Sequence, residues 1–514
     1  MQNVSEAWKL NQTQHFASES FVEVKLTVAD PNAMDDATTN VNGEEYFSHA
    51  EYLTSVIAKN PQKYATLEAN IWTLDETCVV LPNSGYGEQG YIGNTLCNSS
   101  GEFSIIPTIT ISFTDVFTDI VQGVTITWGE AYNEFAKDFT ITVFNGSTQI
   151  AQQSVVGNTD LTSVVEFDIQ NYDSIVIEVT KWSLPYRRAR AKEITIGIIK
   201  TFDKKDLMDY VHSNTVDPLS AVAPKNEITF SVKNLNGEYN PDNPQNVSKY
   251  LLERQLITAR YGYMINGENE WIKAGTFFLS EWEMPQNGIT ATFTARDALE
   301  YMMGVYTGTT TGTLYQIATE AFTQANLPLM TDGSNRWIID PSLETIYAPQ
   351  NVDLEESTTV MEVLQYCANA ACCVFYQDRD GILHIEPLGS VETDYEISRF
   401  NSYQNAELSL SKQLKGINVN NGQYELNVGT VGEVQPINNP LISDAQAPIV
   451  AAWARDYLMN RQTLNGEFRA DPRLDPLDRV KNINQFSESA VLVTDITLNF
   501  NGMFKGNYVG RRGA

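Results

Sequence analysis

Three runs of strictly alternating apolar residues within residues 226–297 constrain the fold more than any other feature of the chain. Alternation with a period of two places one set of side chains on one face of a strand, as a half-buried strand requires. Turn residues separate the runs, and Asn266-Gly267 is typical of a hairpin. The pattern predicts an antiparallel barrel or sandwich with one rigid, Pro-rich loop at 236–244. The runs are 228–232, 257–261 and 289–293.

A set of ordered motifs extends over most of residues 200–514 and includes one earlier segment. They read KYATLEANIWTLD at 63–75, NLNGEYNPDNP at 234–244, YLLERQ at 250–255, GTFFLSEWE at 275–283, ATFTARD at 291–297, ADPRLDPLDRV at 470–480 and VTDITLNFNGMFKGNYVGRR at 493–512. Together they resemble tail-tip proteins of phages that infect Gram-positive bacteria, in the group of baseplate hubs and tail-associated lysins. Several motifs in order carry this resemblance, rather than one short pattern.

The resemblance implies a structural virion protein, not an enzyme: the hub of a baseplate or tail tip. Three copies would form a ring, and two barrel-like domains per subunit would give it a pseudo-sixfold surface. Such a homotrimer would join the sixfold distal tail ring to the threefold tip and line the DNA exit channel. The implied partners are the distal tail protein ring, the tape-measure protein and a tail fibre or receptor-binding protein. The implied location is the virion tail tip, after assembly in the host cytoplasm.

The charge balance is strongly acidic, with a formal net charge of −30 from 64 acidic and 34 basic residues. This composition argues against a surface that grips nucleic-acid phosphates, because such binding requires clustered Lys and Arg. DNA that passes through a hub must not bind to its wall, so one interpretation of the negative charge is an acidic channel wall that repels the DNA. The other is that the charge keeps the protein soluble.

Residues 105–199 carry a separate pattern of short alternating segments at intervals of roughly 10–20 residues, typical of an all-β sandwich. The spacing resembles a galactose-binding-type jelly roll, the shape of many carbohydrate-binding modules. Because the segment lies between a predicted strand at 17–30 and the block that starts near Thr201, we expect an insertion with both ends at the barrel surface. Residues 31–45 and 82–101 are expected to be loops, and 49–59 a short helix.

Aromatic and basic side chains of this sandwich have two interpretations. On the first, the aromatic rings form a stacking platform for sugars, and the basic side chains contact acidic wall polymers or a neighbouring subunit. On the second, the aromatic rings belong to the core, and the basic side chains are ordinary solvated surface. On the first interpretation the protein is a tail-tip adhesin that recognises host cell-wall glycans through 105–199, which is the alternative function. The candidate contact residues are Trp128, Tyr132, Trp182, Tyr186, Arg187 and Arg188.

The sequence gives little support for a metal site, a cofactor or a catalytic site. Asp378-Arg379-Asp380-Gly381 and the aspartates of the 470–480 motif have carboxylate spacings that calcium loops use, but tight or Pro-rigidified turns explain them better. Five cysteines and four histidines show no metal-ligand spacing, which predicts buried free thiols and no cofactor. No motif of a hydrolase is present, and the C-terminal hydrolase of the lysins is expected to be absent. We also expect no secretory signal and no membrane span.

The predicted fold class is mainly β with a smaller α+β part. Residues 306–390 switch to helical periodicity at 313–325 and 358–372, with Ser357-Thr358 as plausible caps, and then form a hairpin. The expected division is 1–104 as an N-terminal strand of the first hub barrel plus a linker, 105–199 as the inserted sandwich, 200–305 as the first hub β-barrel, 306–390 as the α+β domain, and 391–514 as a helix and the second hub β-barrel.

Overall fold

The structure of the protein is a computed structural model, and it describes most of the chain. The described residues are 1–14, 18–29, 31–54, 63–66, 68, 78, 90–240, 242–243, 250–284, 288–327, 335–350, 352, 354–390 and 392–513. Five helices lie within them: α1 Glu6–Thr13, α2 Pro31–Asp36, α3 Leu314–Ala325, α4 Val360–Ala370 and α5 Ala447–Leu458.

Strands account for most of the regular structure in this part of the chain. The first ten are β1 Ser20–Ala29, β2 Thr38–Val41, β3 Tyr91–Leu96, β4 Thr108–Phe117, β5 Val121–Trp128, β6 Ala136–Asn145, β7 Thr148–Val155, β8 Thr162–Ile169, β9 Tyr172–Trp182 and β10 Arg188–Phe202. The next eight are β11 Leu207–Thr215, β12 Lys225–Lys233, β13 Leu256–Ile265, β14 Glu268–Glu283, β15 Thr290–Arg296, β16 Trp337–Ile339, β17 Val374–Gln377 and β18 Leu383–Glu386. The remainder are β19 Glu392–Ile397, β20 Glu407–Leu410, β21 Leu414–Val419, β22 Tyr424–Asn427, β23 Glu433–Ile437, β24 Gln462–Phe468, β25 Arg479–Ile483, β26 Glu488–Phe500 and β27 Phe504–Arg512.

The first barrel-like group follows the strand order β10-β1-β13-β14-β15-β12-β11. Its alternating runs lie in β12, β13 and β15 and bury their apolar side chains in one core. The predicted hairpin also forms, since Asn266 and Gly267 join β13 to β14 with φ of 53° and 89°. One predicted inward position is wrong: Ile289 precedes β15 and is 65% exposed.

The second barrel-like group is built from β19, β25, β26, β27 and β24. The segment after β19 returns to β24 through a bridge between Ser402 and Phe468. Strand β11 belongs to both groups, because it pairs with β12 on one side and with β26 on the other. The two groups therefore form one continuous sheet over one shared core.

The sandwich has two facing sheets, β2-β4-β9-β6-β7 and β3-β10-β5-β8, with a core of their inward residues. Strand β10 runs through both structures: Ala191 to Ile196 pair with β5, and Gly197 to Phe202 pair with β1. The chain thus enters the sandwich from β1 and leaves it along the neighbouring strand.

Two segments that the sequence predicted as loops contribute to the sandwich. Residues 31–45 contain α2 and β2, and β2 pairs with β4. Residues 91–96 form β3, which pairs with β10 and buries Tyr91 and Ile92. The polar composition of these segments led to the prediction of loops. A short strand that pairs with an existing sheet needs few apolar residues, so composition alone does not reveal it. Of the helix predicted at 49–59, the described part holds a single turn, Ala50–Tyr52; the rest lies outside the described residues.

The α+β unit forms around α3 and α4, each with a capping box at its start. The cap of α4 is Thr359 and not the predicted Ser357-Thr358, because the Thr359 side chain accepts from Glu362 N and Glu362 reaches back. Strands β21–β23 and helix α5 bury their apolar residues in the same core. This corrects the expected placement of the 391–514 helix beside the second barrel.

The fold-class prediction is confirmed: the chain is mainly β, with a smaller α+β part. Within the part that the structure describes, no helix has the length and apolar character needed to cross a membrane.

Candidate functional site

The two predicted tryptophans lie inside the sandwich core and not on its surface. Trp128 and Trp182 are each 1% exposed, and their rings meet edge to face at 6.1 Å. Their indole nitrogens donate to Ser163 Oγ and Glu134 Oε2, both at 2.9 Å. The prediction that these two residues belong to a stacking platform for sugars is therefore wrong, since a buried ring has no free face for a sugar.

The predicted basic residues are neutralised within the sandwich. Arg187 is buried and its Nε lies 2.8 Å from Glu134 Oε1. Arg188 is partly exposed, with Nη1 2.6 Å from Glu45 Oε1. Because these guanidinium groups already have carboxylate partners, the interpretation of this cluster as a contact for anionic wall polymers loses its basis.

The two predicted tyrosines remain at the surface. Tyr132 is half-buried, and the guanidinium carbon of Arg190 lies 4.4 Å from the centre of its ring. Tyr186 is 51% exposed and has a φ of +57°, a backbone conformation that bulky residues rarely adopt. It follows Pro185 in the turn between β9 and β10. Of the six predicted contact residues, Tyr186 presents the most accessible side chain.

Sequence reasoning missed a buried ion pair beneath this surface. Arg190 is 1% exposed and holds Glu68 through two hydrogen bonds of 2.9 and 2.5 Å. Burial alone would raise the pKa of Glu68, but the Arg190 guanidinium and the Thr66 hydroxyl outweigh it and hold that pKa below its usual value. For Glu134 burial prevails and raises the pKa. The only signal in the sequence was that Glu68 lies in the 63–75 motif.

The two aspartate-containing loops meet at the junction of the α+β unit and the barrels. Arg379 of the 378–381 turn is 7% exposed and donates from Nε to Asp475 Oδ1 at 2.7 Å. The rest of its guanidinium donates to the backbone oxygens of Lys273, Pro472 and Leu474 at 2.8, 2.8 and 3.1 Å. Arg379 of the first loop thus joins it to the second loop.

The carboxylates of these loops are occupied in holding the backbone. Asp378 accepts from Ile382 N at 2.9 Å and contacts His384 Nε2 at 3.0 Å. Asp471 and Arg473 form a buried pair with 2.6 Å between Oδ2 and Nη2. Among the described residues, no group of three or more His, Cys, Asp or Glu is placed to hold a metal ion.

A chain of buried polar side chains continues from this junction into the shared sheet. His212 on β11 contacts Tyr261 Oη at 2.6 Å through Nδ1 and Asn226 Oδ1 at 2.7 Å through Nε2. Tyr210 Oη lies 3.1 Å from Tyr261 Oη. In the neutral tautomer that satisfies these contacts, Nε2–H donates to Asn226 and the Tyr261 hydroxyl donates to Nδ1. Burial lowers the pKa of His212 to about 4, so the ring is neutral at pH 7.

A cleft of about 330 Å³ opens beside the junction, lined by Asn226, Tyr376, Arg379, Glu386, Asp475 and Asp478 among others. Its polar groups are largely engaged in hydrogen bonds to one another, for example Tyr376 Oη with Glu386 Oε1 at 2.5 Å.

All five cysteines carry free thiols; Cys97, Cys367 and Cys373 are buried, and Cys78 and Cys372 are partly exposed. The geometry points to structural contacts at the junction.

Comparison with solved structures found phage and prophage tail proteins. The 43 kDa tail protein of prophage MuSo2 from Shewanella oneidensis is 14% identical with a TM-score of 0.43, covering 62% of this chain and 94% of that one. A tail protein from Neisseria meningitidis is 12% identical with a TM-score of 0.43, covering 61% and 94%. A prophage tail protein from Listeria monocytogenes is 12% identical with a TM-score of 0.39, covering 62% and 93%. No family model matches the sequence. No curated protein matches it either.

Proposed function

We propose that this chain is a structural subunit of a phage tail tip or baseplate, where it forms the hub. The observation that carries the proposal is the sharing of β11 between the two barrel-like groups. A hub transmits force between stacked rings, and two barrels fused through one sheet and one core behave as one rigid body. Three such subunits would present six barrel repeats, which matches a sixfold ring above a threefold tip.

Described residues of two motifs of the sequence resemblance hold loops in place, which supports the same proposal. Asn234, at the start of the 234–244 motif, is buried, and its Oδ1 accepts from Tyr239 N at 3.0 Å. The 470–480 motif supplies the Asp471–Arg473 pair and the Asp475 partner of Arg379. These side chains hold loops in place, and we assign the protein no catalytic role.

In this proposal the hub is a homotrimer on the distal tail ring, with the tape-measure protein above it and a tail fibre or receptor-binding protein beside it. DNA would leave through its channel without specific binding. The test is the mass of the full chain by light scattering, alone and with the distal tail protein. A trimer, alone or on the ring, is the expected result. A monomer that does not bind the ring would overturn the proposal.

A second candidate function is a glycan-binding adhesin, and Tyr186 is the observation that favours it. The side chain is 51% exposed, and aromatic rings at a surface suit the apolar face of a pyranose. Because β10 is shared and β2 lies outside 105–199, the test uses the full chain. Binding to host-wall glycans that is lost in Tyr186→Ala and retained in Tyr347→Ala, a change at another exposed tyrosine, would support it. No binding by the unaltered chain would exclude it.

A further inference from the structure

Charge is unevenly distributed between the regions of this acidic chain. Residues 306–390 contain 11 acidic and 2 basic residues, whereas residues 391–514 contain 14 acidic and 12 basic residues. Both basic residues of the first region, Arg336 and Arg379, are buried, at 3% and 7% exposure. Residues 306–390 therefore present acidic charge to solvent, whereas residues 391–514 carry charges of both signs.

Strand β20 is an edge of the large sheet with an unusually apolar surface. It pairs with β24 on one side and with no described strand on the other. All four of its residues are exposed, and Leu408 and Leu410 are 48% and 65% exposed. An exposed strand edge with apolar side chains is a template for another chain unless it is covered or blunted. The one carboxylate on the strand is Glu407.

Three arginines surround this strand, and none forms an ion pair with a described carboxylate. Arg399 and Arg512 line a cleft of about 100 Å³ that also includes Leu408 and the unpartnered hydroxyl of Ser489. Arg461 lies at the other end of β20, where Ser411 N donates to its backbone oxygen at 3.0 Å. We call β20 with Arg399, Arg461 and Arg512 the arginine edge. Arginine beside exposed leucine is a composition typical of interface centres.

A surface of complementary character lies where the first barrel meets the α+β unit. Met303 and Val305 are 53% and 49% exposed, and a bridge joins Val305 to Thr359. Thr358 N donates to the backbone oxygen of Glu355 at 2.9 Å, which places the exposed Glu355 and Glu356 beside them. Neither glutamate pairs with a described cation. We call Met303, Val305, Glu355 and Glu356 the acidic patch.

We propose that the arginine edge binds the acidic patch of a second copy of this chain. The argument for a second copy is charge complementarity. Each surface has two exposed apolar residues, and the three arginines of the arginine edge outnumber its one carboxylate, Glu407, so its net charge is opposite in sign to that of Glu355 and Glu356. An ion pair that forms between desolvated surfaces adds specificity to the apolar contact. The contact joins two different surfaces, so it is heterologous and leads to a ring when the rotation closes. The proposal rests on the proposed hub function and names its subunit interface.

The test is light scattering on the full chain at low and high salt. Arg399→Glu, at an exposed residue that stacks on Phe400, and Leu410→Lys are each expected to raise the dissociation constant of the assembly about tenfold or more. High salt is expected to weaken the unaltered assembly. Lys137→Glu on β6 makes the same change in net charge at an exposed residue of the sandwich, and it is expected to leave assembly unchanged.

Charge exchange separates a specific contact from a loss of folding. Arg399→Glu combined with Glu355→Arg and Glu356→Arg is expected to restore the assembly that Arg399→Glu weakens. An unaltered chain that is monomeric alone but trimeric on the distal tail ring would overturn this interface while leaving the hub proposal standing. Assembly that is insensitive to Arg399→Glu and Leu410→Lys would also overturn it. A chain that neither self-associates nor binds the ring would remove both proposals.

Discussion

Arg379 reaches from the turn of the α+β unit to Asp475 in the loop before β25, with 2.7 Å between Nε and Oδ1. The guanidinium is buried, and its other nitrogens donate to backbone oxygens of both barrel-like groups. A single side chain thus connects three parts of the molecule. Burial works against its charge, but Asp475 prevails and keeps the pKa of Arg379 above its usual value.

Arg379→Ala is expected to lower the free energy of unfolding by about 3 kcal/mol, because it removes a buried guanidinium from its pair with the partly exposed Asp475 and leaves three backbone acceptors without their donor. Urea unfolding monitored by tryptophan fluorescence measures the change. Arg296→Ala is the control, since that arginine is 40% exposed and its surface pairs are worth about 1 kcal/mol or less. Equal losses in the two variants would contradict the role assigned to Arg379.

Arg190→Ala is expected to destabilise the sandwich by a similar amount, about 3–5 kcal/mol, because Glu68 would keep a buried charge without its partner. The double change Glu68→Leu with Arg190→Met removes both charges, and it is expected to cost less than Arg190→Ala alone. Thermal unfolding of the three proteins measures this coupling. If the double variant is instead less stable than Arg190→Ala, the expectation is contradicted, and the ion pair stabilises the fold more than apolar side chains in its place.

The elements that the sequence predicted correctly are those whose signal is local. Alternation placed Ile228 and Phe230 inside β12, and the helical spacing near Val363 predicted α4. The Asn266-Gly267 turn was also local, since both residues tolerate positive φ. In contrast, β3 and the shared strand β11 depend on which distant strands pair with them, and a single sequence carries no such information.

The candidate site was predictable only in part, for a related reason. Trp128 and Tyr186 both lie beside predicted strands, and alternation alone does not decide which ring is buried. The partners of Arg187 and Arg379, namely Glu134 and Asp475, lie 53 and 96 residues away in the chain. Carboxylates are so numerous here that sequence offered no way to select these two.

Acidification is expected to destabilise the junction through His212. Its pKa is about 4 in the folded protein against 6.5 for the unperturbed group. The unfolded chain therefore binds the proton more readily, and stability that is fully present above pH 6.5 is lost as the pH falls toward 4. The difference corresponds to about 3 kcal/mol. Thermal unfolding across this range is expected to show a steeper fall for the unaltered protein than for His212→Gln, which does not titrate. Parallel curves would contradict this assignment.

Tyr186 has a backbone conformation that its side chain does not favour, with a φ of +57°. The left-handed region costs an L-residue roughly 1–2 kcal/mol, and glycine loses roughly 0.5–1 kcal/mol of conformational freedom instead. Tyr186→Gly is therefore expected to keep or slightly raise the melting temperature. Leu184→Gly in the same turn, where φ is negative, is the control and is expected to lower it. A clear loss of stability in Tyr186→Gly would mean that the ring stabilises the folded chain itself. If stability is kept while binding to a glycan or tail protein is lost, the ring has a contact function, because a strained exposed aromatic residue then serves the partner and not the fold.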